Sequence, residues 1–141
     1  MNNQHYIYVD TDDCELIQND NNYCYIVTLP CELSLGENDY ELSILELEAA
    51  STKITTIFYL LCNLVEKSIV FGQYLPFLKT FKFLKKNKNL TVVQNPNYFK
   101  IRSHIKKIKQ FKIYLTDPTL AFVPVAGRRL KILFHIREQR K

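Results

Sequence analysis

Phe58-Tyr-Leu-Leu-Cys-Asn-Leu-Val-Glu-Lys-Ser-Ile-Val-Phe-Gly-Gln-Tyr-Leu-Pro-Phe-Leu78 is the stretch on which the reading of this chain turns. An apolar run from Ile57 to Leu61 leads into it, and its β-branched and aromatic content suits a strand covered on both faces. Asn63 and Glu66-Lys67 end that run. Ile69-Val70-Phe71 resumes it, and Gly72 interrupts it again. A glycine inside a strand-like run marks a bulge, a bend or a close backbone approach. Pro76 has no N–H to give to a ladder, so the chain turns there or lies at an edge. The stretch reads as two strands and a corner. It contains no nucleophile beside a base and no metal cage.

Working outward toward the N-terminus, Tyr40-Glu-Leu-Ser-Ile-Leu-Glu-Leu-Glu48 is the ambiguous neighbour. Its Glu and Leu favour a helix. Tyr40, Leu42 and Ile44 alternate with Glu41 and Ser43, which favours a strand. A one-residue slip of phase at Ile44-Leu45 puts Leu47 on the other parity, as a bulge would, and a strand is predicted. Ala49 to Lys53 reads as a connection with room for a helical turn. Tyr23 to Leu29 alternates as a strand stopped by Pro30. Leu33-Ser-Leu35 runs extended toward a turn at Gly36-Glu-Asn-Asp39. His5-Tyr-Ile-Tyr-Val9 is a short β-rich run closed by Asp10-Thr-Asp-Asp13, and Asn19 to Asn22 carries Asx turn chemistry.

Toward the C-terminus, Thr80 to Leu84 alternates, Lys85-Lys-Asn-Lys-Asn89 is a basic loop or hairpin tip, and Leu90 to Gln94 resumes the strand pattern. Asn95-Pro-Asn97 is a turn. Ile105, Ile108 and Phe111 recur every three residues, which predicts a helical turn, before Phe111 to Leu115 alternates. Thr116-Asp-Pro-Thr119 is a turn and Ala121 to Val125 is extended. From Arg128 to Arg137, Leu130, Ile132, Phe134 and Ile136 alternate with Arg129, Lys131, Leu133 and His135. The chain counts eight to ten short strands separated by turn signals, with no long helix, repeat or linker. That pattern predicts one all-β domain over 1–141, an antiparallel sandwich or barrel, with a short charged tail at 138–141. Tyr25, Val27, Leu42, Ile44, Phe111, Ile113, Leu130, Ile132 and Phe134 are its expected core.

Composition narrows function. The chain has 141 residues, and no apolar stretch approaches the length of a membrane span. Its start carries no basic region followed by an apolar run, so no signal peptide is expected. Cys14, Cys24, Cys31 and Cys62 show no Cys-x-x-Cys spacing and the three histidines are scattered, so no zinc site is expected and the thiols read as free. The Asp and Asn cluster at 10–22 fails the spacing of a calcium loop. The three glycines stand alone, which excludes a nucleotide loop. His135, alternating with apolar neighbours, reads as structural, and the carboxylates at 10–15 and 37–48 read as solvated faces. No enzyme and no cofactor are expected.

Charge is divided along the chain. Residues 1–70 carry two basic side chains against twelve acidic ones, and residues 71–141 carry seventeen against two. Either the basic half meets a polyanion, or the halves neutralise each other across one fold. Lysines interleave with aromatics at Lys79-Thr-Phe-Lys-Phe83, Phe99-Lys-Ile-Arg102 and Lys109-Gln-Phe-Lys112. Strand alternation turns those rings inward and leaves the lysines outside, available to phosphate.

The wording of several segments is distinctive. Cys62-Asn-Leu-Val-Glu66, Ile69-Val70 before a glycine, and Pro76-Phe-Leu-Lys79 form one phrase. Tyr25 to Pro30 with Leu33 and Leu35, Tyr40 to Glu46, Asn95-Pro-Asn-Tyr98, Phe111 to Asp117 with Ile108, and Leu133-Phe-His-Ile-Arg137 follow the same pattern in the same order. Together they resemble the minor capsid (penton) proteins of Polinton (Maverick) elements and adintovirus-type viruses, over roughly residues 5 to 137. The departures are Phe71 before Gly72, the lack of a Pro-Val after Tyr98, and Pro118 after the aspartate. The resemblance implies a single jelly roll and a homopentamer at the vertex of an icosahedral virion capsid. It also implies a major capsid protein as neighbour and packaged DNA within reach. On that reading Lys85, Lys86, Lys88, Arg140 and Lys141 are the expected contacts to DNA or to an acidic capsid neighbour, with Asp10 to Asp13 and Asp20 facing away. The alternative is a free-standing β-module that binds nucleic acid or another polyanion through its basic C-terminal half.

Overall fold

Alternating apolar residues make strands, and turn residues fold them against each other. A computed structural model describes residues 4–19, 22–50, 56–70, 72–83, 88–116 and 129–139. In chain order the strands are β1 (Gln4–Asp10), β2 (Glu15–Asn19), β3 (Asn22–Ser34), β4 (Tyr40–Ala50), β5 (Thr56–Cys62) and β6 (Ser68–Val70), then β7 (Gln73–Leu75), β8 (Phe77–Phe83), β9 (Lys88–Val92), β10 (Phe99–Lys100), β11 (Lys107–Thr116) and β12 (Arg129–Glu138). One sheet runs β1-β12-β4-β10, with β9 also paired to β4; the second runs β2-β3-β11-β5-β8; β6 and β7 form a hairpin of their own. Every pairing is antiparallel. The fold is an all-β sandwich.

Between the two large sheets lies one apolar core. Leu130, Ile132, Phe134 and Ile136 of β12 point into it from the first sheet, and Ile108, Phe111, Ile113 and Leu115 of β11 from the second. The rings of Phe134 and Phe111 meet edge to face at 5.8 Å and tie the sheets together. All nine residues expected in the core are buried.

Bulges explain where simple alternation fails. In β4, Phe134 faces Ile44 and Leu133 faces Glu46, so Leu45 is the extra residue and the predicted phase slip is a bulge within a strand. Tyr40 to Glu48 is not helical, and Ala49 and Ala50 prolong the strand instead of forming a connection. The helical turn expected from Ile105, Ile108 and Phe111 is a correction. Ile105 closes a turn by donating its N–H to the carbonyl of Arg102 (3.0 Å), and the chain is extended from Lys107. Ile108 pairs with Leu33 and Gln110 with Thr28, so the ladder breaks at Lys109, which stands opposite four residues of β3. The break switches parity and lets Ile108 and Phe111, three apart, both face the core.

Pro30 does not stop its strand, which is a second correction. β3 runs on to Ser34, and Leu29 to Glu32 have no ladder partners on β11 other than the single Lys109 opposite them, so the proline needs no partner. The central stretch holds four short strands where two were expected. Tyr59, Leu60, Leu61 and Cys62 of β5 are buried on both faces, as predicted. Gly72 has φ +76 and turns the β6–β7 hairpin, a backbone conformation that side chains disfavour. Pro76 links β7 to β8 and accepts the N–H of Cys62 at its carbonyl (2.8 Å).

Candidate functional site

The outward face of the first sheet carries the densest polar cluster. Cross-strand register places Tyr6 of β1 and Ser43 of β4 on either side of His135, with Glu41 beside Arg137 in the next row. His135 stands on the outward parity of β12, yet only 6% of it is exposed. Tyr6 stacks on its ring at 4.6 Å and Tyr98 meets it edge on. Its Nε2–H donates to Oε1 of Gln4 (3.1 Å), and its Nδ1 accepts the Tyr98 hydroxyl (2.6 Å). An amide oxygen only accepts, so Nε2 carries a proton, and a neutral ring is then free to accept at Nδ1. Burial and then the Arg137 cation hold the His135 pKa below the usual histidine value, while burial pushes that of Tyr98 up.

Arg137 completes the cluster. Its guanidinium lies 3.5 Å from the centre of the Tyr98 ring, and its Nε donates to Oε1 of Glu41 (2.7 Å). Ser43 donates its hydroxyl to the carbonyl of Asn97 (2.6 Å). Both ring nitrogens of His135 and the Ser43 hydroxyl are thus engaged. The cluster fastens β1, β12, β4 and the 95–98 turn together. Among the described residues no group of three His, Cys, Asp or Glu is placed to hold a metal.

The charged halves of the chain meet across the sheets. Glu32 pairs with Lys107, Asp39 and Glu66 with Lys100, and Glu41 with Arg137. Asn38 and Glu138 are hydrogen-bonded. Each ion pair joins an acid from the first half to a base from the second. Lys67, Arg102, Ser103 and His104, with Glu66, line an open basic recess of about 520 Å³. Arg102 is fixed there by its Nε bond to the carbonyl of Val65 (3.2 Å).

Of the expected contact residues, Lys85, Lys86, Arg140 and Lys141 lie outside the described residues, as does Asp20; Lys88 opens β9, where its backbone pairs with Ala50. Asp10 caps the short turn at Thr11–Asp13 by accepting the N–H of Asp12 (3.1 Å). The four cysteines are free. Cys62 is wholly buried, and burial pushes its thiol up to about 12, against smaller opposing effects of a backbone N–H and Arg102.

Sequence reasoning missed a groove of about 510 Å³ beside β1. Ile7, Tyr8, Leu29, Pro30 and Leu33 are among its lining, with the exposed Cys31 at its side. It lies where Leu29 to Glu32 of β3 leave the β11 ladder, next to the edge of β1. No described helix is long and apolar enough to cross a membrane. No family model, curated protein or solved structure matches this chain.

Proposed function

We propose that the protein is a structural subunit of a virus-type capsid: a single jelly roll that assembles as a homopentamer at the vertex, beside a major capsid protein, and has no catalytic role. The observation that carries this reading is the strand order. Taking β1, β3, β4, β5, β8, β9–β10, β11 and β12 as eight successive strands, the first sheet holds the first, eighth, third and sixth. The second holds the second, seventh, fourth and fifth. The first strand pairs with the last, and the connections cross repeatedly from sheet to sheet, an order that supports the jelly-roll reading. The resemblance of the sequence to Polinton-type minor capsid proteins supplies the vertex role. A ring of five uses heterologous contacts, in which one patch meets a different patch on the neighbour.

The polyanion-binding alternative draws on the basic recess at Lys67, Arg102 and His104. It is weakened by the ion pairs that spend Lys100, Lys107 and Arg137 on acids of the same chain. Electron microscopy of the purified chain tests the proposal. Five-fold rings support it; single particles of one copy, combined with salt-dependent retention of nucleic acid, support the alternative. Replacing Lys85, Lys86 and Lys88 with Gln separates the two uses of charge. Contact with packaged DNA predicts weaker retention at low and moderate salt with unchanged assembly.

A further inference from the structure

We infer that β1 is a pairing edge for a second copy of this chain, β1 against β1 antiparallel across a two-fold axis at Ile7. Among the described strands, β1 pairs only with β12, and none of them pairs with its other edge. Open edges are normally protected by charge, proline or shortness. The other edges here show such protection. β8 carries Lys79, β2 has five residues and begins at Glu15, β9 has five and begins at Lys88, and β10 has two residues. β1 has seven, and His5-Tyr-Ile-Tyr-Val9 contains no lysine, arginine, proline, aspartate or glutamate. Its register with β12 runs unbroken from Gln4 to Asp10, so no bulge twists it away.

The occupant follows from the sequence of the strand itself. Tyr6 and Tyr8 are symmetric about Ile7. An antiparallel pair centred there sets Tyr6 opposite Tyr8 of the second copy, and Tyr8 opposite its Tyr6. His5 faces Val9, and Gln4 faces Asp10. Tyr6 and Tyr8 are 61% and 62% exposed on the outward face, while Ile7 and Val9 are buried on the inward one. The pairing therefore builds an aromatic ladder outside without moving the core. It also closes the neighbouring groove. Leu29, Pro30 and Leu33 of β3 line it, and a two-fold axis brings the same apolar lining of the second copy beneath the joined strands. An isologous contact of this kind closes on itself, so the exposed edge is used up instead of propagating into a fibre.

The pairing rests on the sandwich alone and not on the vertex reading. Its test is a cross-link of defined register. In a Cys31→Ser background, Tyr6→Cys with Tyr8→Cys on the same chain should give a covalent dimer on oxidation, because the two positions face each other across the axis. Either substitution alone should give none. Sedimentation supplies the second measurement. Tyr8→Lys should weaken two-fold association at least tenfold, and Tyr8→Phe should preserve it, with circular dichroism showing each variant folded. A double-cysteine variant that cross-links no better than the singles, or association unchanged by Tyr8→Lys, would overturn the inference. A ring of five that forms without the cross-link rejects only the pairing; a cross-link without the ring rejects only the vertex reading.

Discussion

His135 is where burial and charge act on the same side chain. Its folded pKa lies below its ordinary value, so near pH 6.5 and below the unfolded chain takes up a proton that the folded ring refuses. Its contribution to stability is complete above that ordinary value and declines as pH falls toward the folded pKa. Urea unfolding between pH 8 and pH 5 should show this loss, and His135→Phe should flatten that part of the profile. An unchanged slope would mean that the ring titrates freely. Thiol reactivity is a second residue-scale outcome. Exposed Cys31 should react first with a thiol reagent, and Cys62, buried with a pKa of about 12, only on unfolding. A folded protein that modifies Cys62 as fast as Cys31 would contradict its placement. Parity put His135 on an outward face and marked it as structural. Its partners were not legible, because Tyr98 and Gln4 lie 37 and 131 positions away in sequence and only the strand register joins them.

Strands and turns respond to substitution according to what each residue does in them. Phe134→Ala removes a ring with no exposed surface from the contact between the sheets and should cost about 3–5 kcal/mol in equilibrium unfolding. A loss under 1 kcal/mol would mean that the sheets are not packed through it. Gly72→Ala is a different case. A Cβ there meets nothing within 4 Å, so only the φ of +76 opposes it. The cost should be about 1 kcal/mol, seen as roughly fivefold faster hydrogen exchange in β6 and β7. Most strands were legible because apolar residues alternate, as from Leu130 to Ile136. The errors fell where one residue changes the parity or the path. The ladder breaks at Lys109, which makes a strand look like a helical turn, and Pro30 sits in the stretch of β3 opposite it, which lets β3 continue past the proline. Neither signal is local, because a bulge is defined by the partner strand as much as by its own sequence.

At the scale of the whole molecule, the strand order brings the two charged halves of the sequence side by side within each sheet. The late strands β11 and β12 lie inside the two sheets, beside β3 and β5 and beside β1 and β4. Basic side chains of the second half thereby reach acids of the first, as in Lys107 with Glu32 and Arg137 with Glu41. An exposed pair such as Lys107 with Glu32 contributes little, about 0–1 kcal/mol, and weakens with salt. The sandwich should therefore survive high salt with a modest loss of stability, as a thermal melt at low and high ionic strength would show. What the sequence did not reveal is which outer surface meets a neighbour, because contact between copies depends on edges and grooves that appear only when the strands are assembled. The most direct test of the vertex assignment is native mass spectrometry of the purified chain. The account predicts a closed assembly of five copies, or of ten where two-fold pairing joins two rings. A chain that remains a single copy or stops at two at every concentration would contradict it.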